Sequence, residues 1–231
     1  MGPIQLVIFD MAGTTIDDRD QKVLTCLVET ARCYQLPGTT EELNALMGMN
    51  KKEVFLLLAE RQAGARQDDV EQVAQQALET FITLMQKAYE RDLVPIAGAE
   101  ETFAFLRQRG IKVALDTGFD STIGGMILER LNWLDRYVDC VVFSDQVSRG
   151  RPAPYLIFHA MEQLGVTNVR QVMKLGDSPS DLDEGSNAGC GEVIGVLSGA
   201  HTAETLGRYR HTRLISSVAV LPTLFTESEE R

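Results

Sequence analysis

One strand-like run, Leu6-Val7-Ile8-Phe9, stands apart from the others, because residues from about 20 to 92 carry an unbroken helical pattern. That separation constrains the fold more than any other feature. The run is short and apolar at every position, so it reads as a strand buried on both faces. After Pro95 the texture changes to short apolar runs at 112–117, 140–144, 172–177 and 193–196, with 213–217 as a last strand. Helical stretches separate them, notably 100–110, which closes on Gly110, and 154–165. Strands alternating with helices build a parallel sheet covered on both faces. The helical block then has to be an insertion after the first strand. Within it, Val23, Leu24, Leu27 and Val28 share one helical face. Thr39 and Glu42 are spaced as a capping box, and residues from Val70 to Tyr89 keep helical spacing for over five turns.

The chain has 231 residues, enough for a core domain plus a smaller insertion. Its net charge of −11 argues against nucleic-acid binding, which needs a basic face. An anionic substrate therefore has to be held by a local positive site. Cys26, Cys33, Cys140 and Cys190 form no CxxC pair and read as reduced thiols. No apolar run approaches the ~20 residues that span a bilayer, and no basic stretch precedes an apolar one at the start. The expectation is a cytoplasmic protein that binds no membrane. The charged end, 227–231, is expected to fray.

In an open parallel sheet, ligands bind beyond the carboxyl ends of the strands. Four loops there carry suitable residues: 10–14, Thr117-Gly118, 150–154 and 176–181. One strand-end Asp or Thr is ordinarily a turn or cap residue. Four such loops, each behind an apolar strand, point instead to one site. Asp10 sits where a carboxylate can accept a phosphoryl group. Small residues and hydroxyls (Gly13, Thr14, Thr15) follow it, and Ala12 stands two positions on. His159 reads as structural, and His201 and His211 match no metal spacing.

Together these loops resemble the haloacid dehalogenase superfamily of hydrolases, and the helical block resembles that superfamily's small cap. The implied fold is α/β, a Rossmann-like parallel sheet core flanked by helices with an inserted all-helical cap. Residues 1–18 and 93–231 form the core and 19–92 the cap, with hinges near 17–20 and 92–95. The resemblance implies that Asp10 attacks phosphorus and becomes an aspartyl-phosphate. It implies that Thr117 hydrogen-bonds a phosphoryl oxygen and that Arg151 sets a fixed cation against the transferring group. Mg2+ would be held by Asp10, Asp177, Asp181 and the backbone carbonyl of Ala12. Gly13, Thr14, Met47, Gly48 and Gly118 would contact substrate.

Two features, Ala12 in place of the usual Asp and Arg151 in place of the usual Lys, resemble the phosphonoacetaldehyde hydrolase (phosphonatase) branch. Ala12 cannot supply the general acid that an alkoxide leaving group needs. In that branch a cap lysine in a Met-Gly-x-x-Lys pattern forms a Schiff base with the substrate aldehyde, and 47–51 fits the pattern with Lys51. Asn50 is expected to cap the next helix with Glu53 reaching back, placing Lys51 in its first turn, where the helix dipole disfavours the ammonium. The branch carries His three residues after the lysine, whereas this chain has Val54. Lys51 is thus either a Schiff-base former or an anion-binding cation. The expected enzyme is a Mg2+-dependent hydrolase cleaving a small phosphonate or phosphate-ester substrate. The alternatives are a phosphatase for a small phosphorylated metabolite, with Lys51 only binding substrate, and a non-catalytic receiver-like protein phosphorylated on Asp10. The resemblance also implies a homodimer through the cap, for which the apolar helix at 20–33 is the candidate surface.

Overall fold

The computed structural model describes residues 3–62, 66–134 and 136–229. Among them six strands form one sheet: β1 (Leu6–Phe9), β2 (Lys112–Asp116), β3 (Cys140–Val142), β4 (Val172–Gly176), β5 (Glu192–Val196) and β6 (Arg213–Ile215). Their order is β3-β2-β1-β4-β5-β6, and every neighbouring pair is parallel. The expected α/β Rossmann-like sheet is thus present. Four helices, α1 (Lys22–Cys33), α2 (Thr40–Asn44), α3 (Lys51–Glu60) and α4 (Gln67–Arg91), separate β1 from the rest. The remaining helices are α5 (Ala99–Gln108), α6 (Ser121–Leu131), α7 (Tyr155–Leu164), α8 (Pro179–Ala188), α9 (Ala203–Leu206) and α10 (Leu221–Glu229).

Strand β1 is buried at all four positions because helices cover both of its faces. Val7 and Phe9 join one apolar cluster, in which Phe103 of α5 meets Phe9 edge-on at 5.2 Å and Trp133 at 5.3 Å. Leu6 and Ile8 join the other, with Leu156, Ile157 and Ala160 of α7 and Leu182 of α8. The register pairs Phe9 with Leu115 on one side and Leu175 on the other. Asp10, Asp116 and Gly176 therefore follow at one level, at the carboxyl end of the sheet, where β1 lies between strands reached in opposite directions.

In the insertion, α4 buries Val70, Ala74, Ala77, Phe81, Met85 and Tyr89, a helical stripe packed on α1 and α3. The Thr39 capping box forms as expected: Glu42 N donates to Thr39 Oγ1 at 3.2 Å, and Thr39 N donates to Glu42 Oε2 at 2.8 Å. Val23, Leu24, Leu27 and Ala31 of α1 face inward and are buried. Val28, on the same face, is only half-buried and borders a surface hollow with Leu24. The two chain crossings run side by side. Asp17 N donates to Val94 O, and Ile96 N donates to Thr15 O, both at 2.9 Å, around an antiparallel bridge of Ile16 with Pro95. At the far end α10 continues to Glu229, further than the fraying expected from residue 227; residues 230 and 231 lie outside the described residues.

Candidate active site

Asp10 emerges from β1 nearly closed off from solvent. Its Oδ1 accepts a hydrogen bond from Arg151 Nη1 at 2.6 Å. The same nitrogen lies 2.8 Å from Asp181 Oδ1 and donates to Gly48 O at 3.4 Å. Arg151 Nη2 donates to Asp116 Oδ1, and Nε donates to Glu184 Oε2 at 3.1 Å. Lys174, in the middle of β4, bonds Asp116 Oδ1 and lies 3.2 Å from both Asp181 Oδ1 and Glu184 Oε2. Four carboxylates thus surround two cations, and both cations are fully buried.

Burial opposes ionisation throughout, and the partners decide each outcome. At Asp116 burial raises the pKa, but Arg151 and Lys174 outweigh it and hold the carboxyl below its ordinary range. Glu184 is pushed well above its ordinary range by burial and then by Asp116. Asp116 and Glu184 are neighbouring carboxyls that share a hydrogen bond, which lowers the pKa of the first and raises that of the second. Asp10 rises to about 6, through burial and the charge of Asp181, against the pull of Arg151 and Lys174.

Asp10, Asp116 and Asp181 offer oxygens within 4.8 Å of one another, an arrangement that on distance alone suits a metal. All three bond or pair with the Arg151 guanidinium, so their mutual repulsion is already met by a cation. Asp177 differs. It is buried, Ala200 N donates to its Oδ2 at 2.6 Å, and Thr14 Oγ1 donates to its Oδ1 at 3.4 Å. Among the described residues no basic side chain forms an ion pair with it. Burial, Asp10 and Asp181 raise its pKa well above the ordinary value. A buried carboxylate in that position calls for a cation, and hard oxygen donors fit Mg2+. Asp177 and Asp10 share one cavity with Ala12, so the donor set fits a metal between these two acids rather than inside the arginine cluster.

The helical insertion closes this cavity from above. Its volume is about 20 Å³, and its walls include Asp10, Ala12, Asp177 and Thr117 from the sheet side and Met47, Gly48 and Lys51 from the insertion. Gly48 has φ +79°, and a Cβ there would come within 2.4 Å of Ser178 Oγ and Ser180 Oγ. Only glycine lets the two surfaces approach so closely. Ser180 Oγ donates to Met47 O at 2.9 Å, and Asn50 Nδ2 donates to Ser144 O at 3.1 Å. Asn50 caps α3 as expected, with Oδ1 accepting from Lys52 N at 2.8 Å and Glu53 N at 3.3 Å. Glu53 does not reach back to it. Its Oε1 accepts from Gly150 N at 2.8 Å, across the seam and beside Arg151.

Lys51 therefore sits in the first turn of α3, buried, with Nζ donating to Met49 O at 3.0 Å and lying 6.0 Å from the Phe81 ring centroid. Burial pushes its ammonium down to about 8; Arg151 adds to that push, and Asp10 opposes it. An amine in that range is partly neutral near physiological pH.

Of the residues expected from sequence, Asp10, Ala12, Thr117, Gly118, Met47, Gly48, Lys51 and Asp177 line one cavity. Arg151 and Asp181 lie directly behind Asp10. Gly13 and Thr14 stand off the cavity: Thr14 supports Asp177, and Gly13 O accepts from Ser198 Oγ at 2.7 Å. Asp116, Lys174 and Glu184 were not foreseen as site residues. Their signal was present, since Lys174 interrupts an apolar strand between Met173 and Leu175, and a lysine buried on both faces requires carboxylate partners.

The sequence profile described as haloacid dehalogenase-like hydrolase matches residues 4–189. A phosphonoacetaldehyde hydrolase from Bacillus cereus is 30% identical over 236 residues, covering 97% of this chain and 89% of its own. A crystal structure of a phosphonoacetaldehyde hydrolase-like protein from Oleispira antarctica superposes with a TM-score of 0.81 at 23% identity, covering 100% of this chain and 94% of that one. A β-phosphoglucomutase from Clostridium difficile superposes with a TM-score of 0.77 at 17% identity, covering 98% and 96%.

Lys174 is fully buried among carboxylates, so Lys174→Met leaves Asp116 and Asp181 under-compensated. The expected loss is about 3–5 kcal/mol of unfolding free energy, the usual cost of removing one partner of a buried pair. Urea denaturation measures it, and a loss below about 1 kcal/mol contradicts the charge assignment.

Proposed function

The chain belongs to the haloacid dehalogenase-like hydrolases, and from that premise we propose that it cleaves a small phosphonate of the phosphonoacetaldehyde kind with Asp10 as nucleophile. The observation that carries this reading is the cavity on which a strand-end carboxylate and a buried lysine both border, with only the methyl of Ala12 where a general acid would stand. We propose core boundaries of 1–18 and 93–231 and a cap of 19–92, with the paired crossings near Ile16 and Pro95 as the hinge.

In this reading substrate enters with the cap open and is enclosed when Met47 and Gly48 settle on the 178–180 loop. Lys51, as the neutral amine, adds to the aldehyde carbon and expels water, leaving an iminium. Asp10 then attacks phosphorus in line. Its new O–P bond forms as the C–P bond breaks, and the carbon electron pair passes into the iminium to give an enamine. Thr117 orients the phosphoryl oxygens, while Arg151, behind Asp10, holds the nucleophile and offsets charge from there. The enamine carbon then takes up a proton, which restores an iminium; one water hydrolyses that iminium, freeing the aldehyde and the Lys51 amine, and a second hydrolyses the aspartyl-phosphate to phosphate and the Asp10 carboxylate. Mg2+, held by Asp10, Asp177 and the Ala12 carbonyl, with Asp181 paired instead to Arg151 and Lys174, would offset the repulsion between nucleophile and anionic substrate.

One observation favours a second reading. Val54, one turn beyond Lys51, is fully buried in apolar surroundings, so α3 offers no proton-transfer group there. In that reading the enzyme is a phosphatase for a small organophosphate, and Lys51 only anchors substrate. Family membership makes the protein an enzyme and sets aside the receiver-like alternative.

Borohydride reduction during turnover of phosphonoacetaldehyde separates the two readings. The first predicts a mass adduct on Lys51 that is absent in Lys51→Arg. Its yield should rise as pH passes through about 8, because the ammonium must lose its proton before it can attack. Turnover of the aldehyde without any adduct selects the second. For the metal, Mg2+ is expected to raise the melting temperature of the wild type, by about 2.7 kcal/mol of stabilisation at a hundredfold excess over Kd. The effect should vanish in Asp177→Asn; an unchanged shift in that variant contradicts the metal assignment.

A further inference from the structure

We propose that the leaving group of the natural substrate is larger than acetaldehyde: an uncharged apolar body of several carbons that lies in a second chamber beside Lys51. The proposal rests on the reading of Asp10 as the phosphoryl acceptor and specifies the substrate class for that site.

The chamber at Asp10 measures about 20 Å³, room for one water-sized group. A second chamber of about 410 Å³ adjoins it, within the ~300–1,000 Å³ of cavities that hold organic ligands. Lys51, Gly118 and Phe119 line both, so the two are contiguous and the lysine stands at their junction. The larger chamber is walled by Leu56, Leu78 and Phe81 from the cap and by Phe119, Ile123 and Val147 from the core. Phe81, Phe119 and Ile123 are already buried, so a two-carbon leaving group would reach Lys51 and leave the open surface of Leu56, Leu78 and Val147 uncovered.

The mouth is polar, with Lys52, Asp145 and Ser148 all exposed. The carboxylates along the chamber already have partners. Glu53 accepts from Gly150 N, Asp120 accepts from Ile123 N at 3.0 Å, and Asp145 accepts from Ser121 N at 3.0 Å. Three carboxylates against Lys52, with Lys51 committed to the inner chamber, disfavour a second phosphate or carboxylate on the ligand. The chemistry selected is one anionic phosphorus head with a neutral aliphatic or aryl tail. Because the walls come from both sides of the seam, the chamber exists only while the Asn50–Ser144 and Glu53–Gly150 contacts hold the cap closed.

The test uses alkylphosphonates without a carbonyl, so that binding is read apart from turnover. Methyl-, butyl- and 4-phenylbutylphosphonate are titrated calorimetrically onto the 231-residue chain with Mg2+. Affinity is expected to rise along the series by at least about tenfold, since each buried methylene contributes up to about fourfold. Leu78→Trp and Val147→Trp fill the chamber from opposite walls and should each remove most of the gain for the phenylbutyl compound. If either fails to fold, the wild-type series still decides. Affinities within twofold across the series, while phosphonoacetaldehyde is turned over by wild type and not by Asp10→Asn, overturn the chamber proposal and leave the function standing. A rising series in an enzyme that turns over an organophosphorus substrate equally well as Asp10→Asn supports the chamber and overturns the function.

Discussion

The Arg151 guanidinium is the interaction on which the site depends. It arrives on the loop after β3 and touches carboxylates that follow β1, end β2 and lie in the first turns of α8. One planar cation thereby fixes the relative positions of three strand ends. It also reaches the Gly48 carbonyl, so the same group registers the cap against the sheet. Burying so many charges is costly, and apolar residues of equal volume would serve stability as well or better. What the cluster supplies is orientation: it holds Asp10 by one oxygen, and among the described residues no hydrogen bond engages the other.

Charge imbalance gives the site its chemical bias. Asp10, Asp116, Asp181 and Glu184 face only Arg151 and Lys174, and Asp177 stands beside them without a basic partner among the described residues. A cavity with that excess at its floor and Lys51 in its roof suits a divalent cation beside a phosphoryl group. Among the described residues the helical insertion contributes no carboxylate to the cavity walls. It contributes Met47, Gly48 and the buried amine of Lys51.

Much of this was legible in the sequence, because the relevant signals are local. Apolar runs ending in Asp10 and Asp177 mark strand ends, and a parallel sheet gathers strand ends on one edge. The Thr39–Glu42 spacing and the stripe from Val70 to Tyr89 depend only on helix geometry, and both are present. The misses are long-range. Glu53 was expected to serve its own helix, yet it takes the Gly150 amide ninety-seven residues away. Asp116 and Glu184 look like an ordinary strand-end acid and an ordinary helix acid until Lys174 and Arg151 are placed between them.

The central claim is that phosphorus passes through Asp10. Acid-quenching the enzyme milliseconds after mixing with an organophosphorus substrate and Mg2+, followed by peptide mass spectrometry, tests it directly. The account predicts a phosphoryl group on the peptide carrying Asp10, appearing before product and discharging when substrate is exhausted. Turnover with no phosphorylated peptide at any quench time, or with the phosphoryl group on another residue, would contradict it.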